Sequence, residues 1–243
     1  MTEAEQQALS PGEFIELLEQ TRAEFLEGKS PYRGDSTTGK TRLEIVASKR
    51  AFHTGGDPNH RFEGERYLNI RDKAIRRKQL RKLVDEGGQT TVGGPMPSHP
   101  TLARWHSQEM GLADVEIDAL EKEDMPAETF VKDGFWFDLQ RSSHWAVGLS
   151  SALVGEGSKR LPGAVEHYEK LIADARLQYT EMGVENPDRA VQLMIEHAPF
   201  GADMEHAMFG EEVVRETATT VEIQDAMRKA FILTMQRNAR GRI

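Results

Sequence analysis

Ser10-Pro11-Gly12-Glu13-Phe14-Ile15-Glu16-Leu17-Leu18 joins a helix-start signal to an apolar stripe at helical spacing, and this pairing sets the fold class. Serine followed three residues later by glutamate is a capping box, and proline at the first helical position loses no hydrogen bond there. Phe14, Leu17, Leu18 and Phe25 then recur at helical spacing before Gly28. The same grammar continues along the chain. A second helix is expected over residues 41–52 and a long one over residues 61–86. Tyr67, Ile70, Ala74, Leu80, Leu83 and Val84 mark the apolar face of the long helix. Ser98 caps a helix reaching Gly111, and Asp114 caps a short one. Further helices are expected over residues 126–156, 161–182 and 220–237, with Asn186-Pro187 opening another that meets Pro199 and Gly201. No strand-like alternation persists beyond four or five residues. The expectation is an all-α bundle: one domain over residues 11–238, with a flexible N-terminus (1–10) and tail (239–243).

Composition narrows the chemistry. Cysteine is absent, which excludes disulfides, thiolate metal sites, iron–sulfur clusters and a cysteine nucleophile. Any metal must be held by nitrogen and oxygen. A net charge of −9 opposes general nucleic-acid binding, and the basic run from Arg71 to Lys82 lacks interleaved aromatics, as a solvated helix face would. The polar, acidic start shows no secretion signal, and no apolar run is long enough to span a bilayer. A cytoplasmic protein is expected.

Asp203-Met204-Glu205-His206 places an acid and an imidazole three apart, on one helical face, where both can reach a single ion. His197 precedes Asp203 by six residues, a step that an undisturbed helix would carry far round; Pro199 and Gly201 between them can loosen the turn. Glu156 closes a run of small and apolar residues over 147–155, where a buried carboxylate would need a partner, although a helix end in water would equally suit it. Glu86 ends the long helix, and His99 begins the one after it, free to point inward or to decorate the cap. Together Glu86, His99, Glu156, His197, Asp203 and His206 supply three carboxylates and three imidazoles, the donor count of a carboxylate-bridged diiron site. His53, Asp57 and His60 spell the same spacing as a metal motif, but they flank Gly55-Gly56-Asp57-Pro58, which breaks the helical-face argument. His106, His144 and His167 read as packed or surface histidines.

Three stretches carry a resemblance: residues 77–87 followed by Ser98-His99-Pro100-Thr101-Leu102, residues 147–156, and Asp203-Met204-Glu205-His206-Ala207 with His197 ahead of it. In these the chain resembles the PqqC/TenA-type haem-oxygenase-like fold, and within it the haem-oxygenase-like diiron oxidases and oxygenases. It departs from that pattern in the His197-to-Asp203 step of six rather than four, and in the long loop from Glu86 to His99. The resemblance implies an up-and-down bundle, usually a homodimer, holding two Fe(II) ions per chain on those six residues. It further implies O2 as co-substrate, a peroxo-diferric intermediate, and a small carboxylate- or amine-bearing metabolite as the molecule oxidised. Lys132 and Arg141, on the helix expected to carry Glu156, are candidates for holding a substrate carboxylate. Two other readings stay open: a cofactorless PqqC-like oxidase in which histidines move protons, and a non-catalytic helical partner protein.

Overall fold

The computed structural model describes residues 7–26, 37–55, 64, 67–86, 97–124, 160–199 and 203–240; the side chains of 81, 82, 85, 86, 203–207 and 237–240 lie outside that description. The helix expected over residues 126–156 lies outside the described residues. The described regular structure is helical, with no strand among the described residues. In chain order the helices are α1 (Pro11–Phe25), α2 (Arg42–His53), α3 (Lys73–Glu86), α4 (His99–Met110), α5 (Asp114–Leu120), α6 (Ala164–Glu181), α7 (Pro187–Ala190), α8 (Gln192–Glu196), α9 (Asp203–Thr217) and α10 (Val221–Arg240). No helix among the described residues is long and apolar enough to cross a membrane.

Local chemistry explains most of the boundaries. The Ser10–Glu13 box forms as expected, and a second one, Thr41–Glu44, starts α2. Ser98 Oγ accepts the Thr101 amide at 3.2 Å and starts α4; Gly111, at φ 109, ends it in the left-handed region that side chains disfavour. Arg42 then donates to the carbonyls of Met110 and Glu109, fixing the start of α2 against the end of α4. At the N-terminal edge Leu9 pairs with the Gln224 amide in both directions, tying the entry to α1 onto α10.

Two expected helices are divided: the one opened by Asn186-Pro187 breaks at Val191 into α7 and α8, and the one over residues 61–86 breaks as well. Residues 61–86 do not form one uninterrupted rod: residues 67–69 make a helical turn, residues 70–72 leave the helix, and α3 restarts at Lys73. Asp72 is the cause, since its Oδ1 accepts the amides of Ala74 (2.8 Å) and Ile75 (3.0 Å), capping a new start. The buried face also differs from the expected stripe. Ile70, Ile75 and Gln79 are buried, whereas Ala74, Leu80 and Val84 are exposed. Asp72→Ala should therefore cost about 1 kcal/mol of stability in chemical unfolding. A change within a few tenths of a kcal/mol would mean that packing, not the cap, sets this boundary.

Among the described residues, packing falls into two main cores. In one, Phe14, Ile15 and Leu18 of α1 meet Val214 and Ala218 at the end of α9 and Met227, Phe231 and Met235 of α10. The buried Arg22 lies over the Phe231 ring and pairs with Glu19. In the other, Ile45 of α2 and Met110 of α4 meet Tyr168, Ile172, Ala175 and Tyr179 of α6, with Ala190, Val191 and Ala198 around α7 and α8. Here α4 packs against α2, α7 and α8, which brings the two ends of the candidate site into one neighbourhood.

Candidate functional site

Proline at the second position of α4, together with the Ser98 cap, fixes His99 in the first helical turn, half-buried. His197 caps the C-terminal end of α8, next to the wholly buried Ala198. The two imidazoles, far apart in sequence, meet with ring centroids 4.6 Å apart and planes tilted by 40°. His197 Nδ1 lies 2.7 Å from the Leu193 carbonyl oxygen. A carbonyl only accepts, so Nδ1 carries the proton and Nε2 of the neutral ring carries the lone pair. This is the second-sphere arrangement that orients a ligating histidine and makes it more basic.

The pair passes a simple test for sharing an ion. A ligating imidazole places its centroid roughly 3 Å from the metal, so two ligands of one ion are separated by at most roughly 6 Å. The observed 4.6 Å lies inside that limit. Nitrogen donors also suit ferrous iron. Among the described residues, no group of three or more histidines, cysteines and acids is arranged to hold a metal ion.

The other expected donors are placed less completely. Glu156, Lys132 and Arg141 lie outside the described residues. Glu86 is the last residue of α3, and Asp203 and His206 occupy the first turn of α9, one helical step of three apart; their side chains lie outside the description. His197 caps α8, which ends at Glu196, and Asp203 starts α9, so a kink within one helix is not what relates them. Helix α3 does pack on α9, through Ile75 against Val213 and Phe209 and through Lys78 paired with Glu212 and Glu216. That contact begins eight residues from Glu86 and six from Asp203, so it does not by itself join them.

A second polar cluster went unread in the sequence. His53 is the last residue of α2 and is buried, not a loop residue. Its Nδ1 lies 3.0 Å from Glu121 Oε1 and its Nε2 2.9 Å from Ser107 Oγ. Burial pushes the His53 pKa down, while the hydrogen bond and charge of Glu121 act the other way. Ser107 is wholly buried and donates to the Ala103 carbonyl at 2.9 Å, so this chain braces α2, α4 and the end of α5. His106 is buried against the Tyr179 ring, 5.4 Å between centroids. Its Nε2 has no hydrogen-bond partner among the described residues. Burial, helped by the charge of Lys49, lowers its pKa to about 3. The only sequence signal for His106 was its position two helical turns after His99 on the same face of α4. Compared with protein-family models and with curated proteins, the chain matches none.

Proposed function

We propose that this protein is a non-haem diiron, O2-activating oxidase or oxygenase with a haem-oxygenase-like helical fold. The supporting observation is the meeting of His99 and His197, two of the six donors read from the sequence, brought together by the packing of α4 on α8. Glu86, Glu156, Asp203 and His206 complete the proposed donor set, and two Fe(II) ions per chain are the proposed metals. Bound iron would supply the one-electron chemistry that dioxygen requires.

The chain's own residues have defined tasks in this reading. The Leu193 carbonyl holds the His197 proton on Nδ1 and so keeps Nε2 as the donor atom. Ser98 and Pro100 hold His99 in the first turn of a helix, where its position is fixed by capping rather than by a loop. Ala198, wholly buried, anchors the residue next to His197 in the apolar core that also holds Ala190 and Val191. The proposed substrate is a small carboxylate- or amine-bearing metabolite, with Lys132 and Arg141 as its proposed carboxylate partners. A cytoplasmic homodimer is the proposed assembly.

Anaerobic loading with Fe(II), followed by metal analysis, tests the reading. Wild-type protein should retain about two irons per chain, and Asp203→Ala/His206→Ala should lose most of them. An unchanged iron content in the double variant would remove the assignment. The fixed tautomer of His197 also suits a proton acceptor, which favours a cofactorless oxidase as the second reading. O2-dependent turnover that persists after chelation and metal-free preparation would select it over iron.

A further inference from the structure

Helix α7 and helix α8 run back along α4, and one side chain fixes how far. Arg189 of α7 donates through one terminal nitrogen to Glu109 Oε1 (2.9 Å) and through the other to Gln108 Oε1 (2.5 Å). Its guanidinium also lies over the Trp105 ring, 5.1 Å from the centroid. The second oxygen of Glu109 accepts the Asn186 backbone amide at 3.1 Å, just ahead of α7. Asn186 in turn caps α7 by accepting the Arg189 amide. Trp105, Gln108 and Glu109 share the surface of α4 that faces α7, so a single planar group reads three positions of that helix at once.

The register follows from these partners. His197 lies eight residues after Arg189. His99 lies eight residues before Ser107, the midpoint of the stretch from Trp105 to Glu109 that Arg189 engages. Asn186 and Arg189 engage the last turn of α4 and His197 meets its first residue, so α7 and α8 follow α4 in the antiparallel sense. A slip of α7 and α8 by one turn would move His197 by about 5 Å along α4 and separate the rings.

We infer that Arg189, clamped by Glu109, Gln108 and Trp105, is a positioning residue that sets the His99–His197 pair. The inference rests on the proposed metal-binding role of that pair for its functional meaning, but the positioning itself can be read without metal. A polar clamp adds to the register set by burial, because a fork with two acceptors and a stacked ring satisfies its geometry in one register. Glu109 is largely sheltered, with a side-chain exposure of 10%, whereas Arg189 is 34% exposed, so solvent screens the pair in part.

The test combines ring-proton NOEs between His99 and His197 in the metal-free protein with Co(II) titration of the full chain under argon. Arg189→Met keeps the aliphatic stem against Trp105 but removes the fork. It should retain helix content, lose the NOE between the imidazoles, and weaken Co(II) binding at least tenfold. Arg189→Lys, which keeps the charge but not the fork, should fall between the two. Lys170→Met, which breaks the exposed Lys170–Asp174 pair on α6, should change neither readout. If Arg189→Met does not fold, Glu109→Gln carries the same comparison. An intact NOE and wild-type Co(II) affinity in the clamp variants would overturn the inference. Loss of the NOE in a protein whose wild type binds no Co(II) would keep the clamp and remove the metal reading.

Discussion

Stability should fall by about 3–5 kcal/mol between pH 6.5 and pH 3 through His106 alone. An unfolded histidine takes up its proton near pH 6.5, whereas His106 in the fold does so only at about 3. Between those values the unfolded chain binds a proton that the native state refuses. Protons therefore favour unfolding throughout that window, and the stability present above pH 6.5 is lost as the pH falls through it. The physical cause is the place of the ring, buried against Tyr179 with Nε2 unpartnered among the described residues and Lys49 nearby to oppose a second positive charge. His53 acts in the same direction, since its pKa is also lowered, chiefly by burial. Urea unfolding at stepped pH, compared between wild type and His106→Leu, isolates the effect because carboxylate titration is common to both. The variant should have a flatter profile and lie above wild type in acid. Parallel profiles for the two proteins would show that His106 is not the source of the acid sensitivity.

The second large effect is expected at His197. Replacing it with phenylalanine keeps a ring to pack against His99 but removes both nitrogens. On the proposed role of His197 as a direct ligand, iron affinity should fall more than about 100-fold, beyond the 10–100-fold typical of losing an outer-sphere partner. The metal-free protein should meanwhile unfold close to wild type. With Fe(II) at about 100 times its dissociation constant, wild type should gain about 2.7 kcal/mol of stability under anaerobic conditions, and His197→Phe should gain almost none. His99→Ala should behave likewise toward iron. If His197→Phe retains the full metal-dependent gain, the ring pair is a packing contact and not a metal ligand pair.

Helix starts were the most legible feature of this sequence. Ser10, Ser98 and Asn186 all accept amides three residues on, as their position ahead of an apolar or proline-led run implied. Gly111 ends α4 for the equally local reason that its backbone is left-handed. Asp72 obeys the same rule but sits inside a periodic stretch, so the apolar pattern overrode it in the reading of residues 61–86 as one helix. The face of α3 was harder still. Periodicity offered Leu80 and Val84, yet Ile75 and Gln79 are the residues buried, with Ile75 packed against α9. Which stripe is buried depends on where the neighbour lies, and helical spacing carries no information about that.

The candidate site divides along the same line. Sequence alone determined that this is a helical protein without thiol chemistry, where most of its helices start, and which acids and imidazoles could serve as donors. These are properties of single residues and of contacts three or four positions apart, which the chain makes wherever it finds itself. Only the tertiary structure decided that His99 faces His197, that His53 is bound between Glu121 and Ser107, and that His106 is sealed beside Tyr179. Each of those outcomes depends on how helices remote in sequence pack and in what register, and register is settled by the joint burial and pairing of side chains on both partners at once.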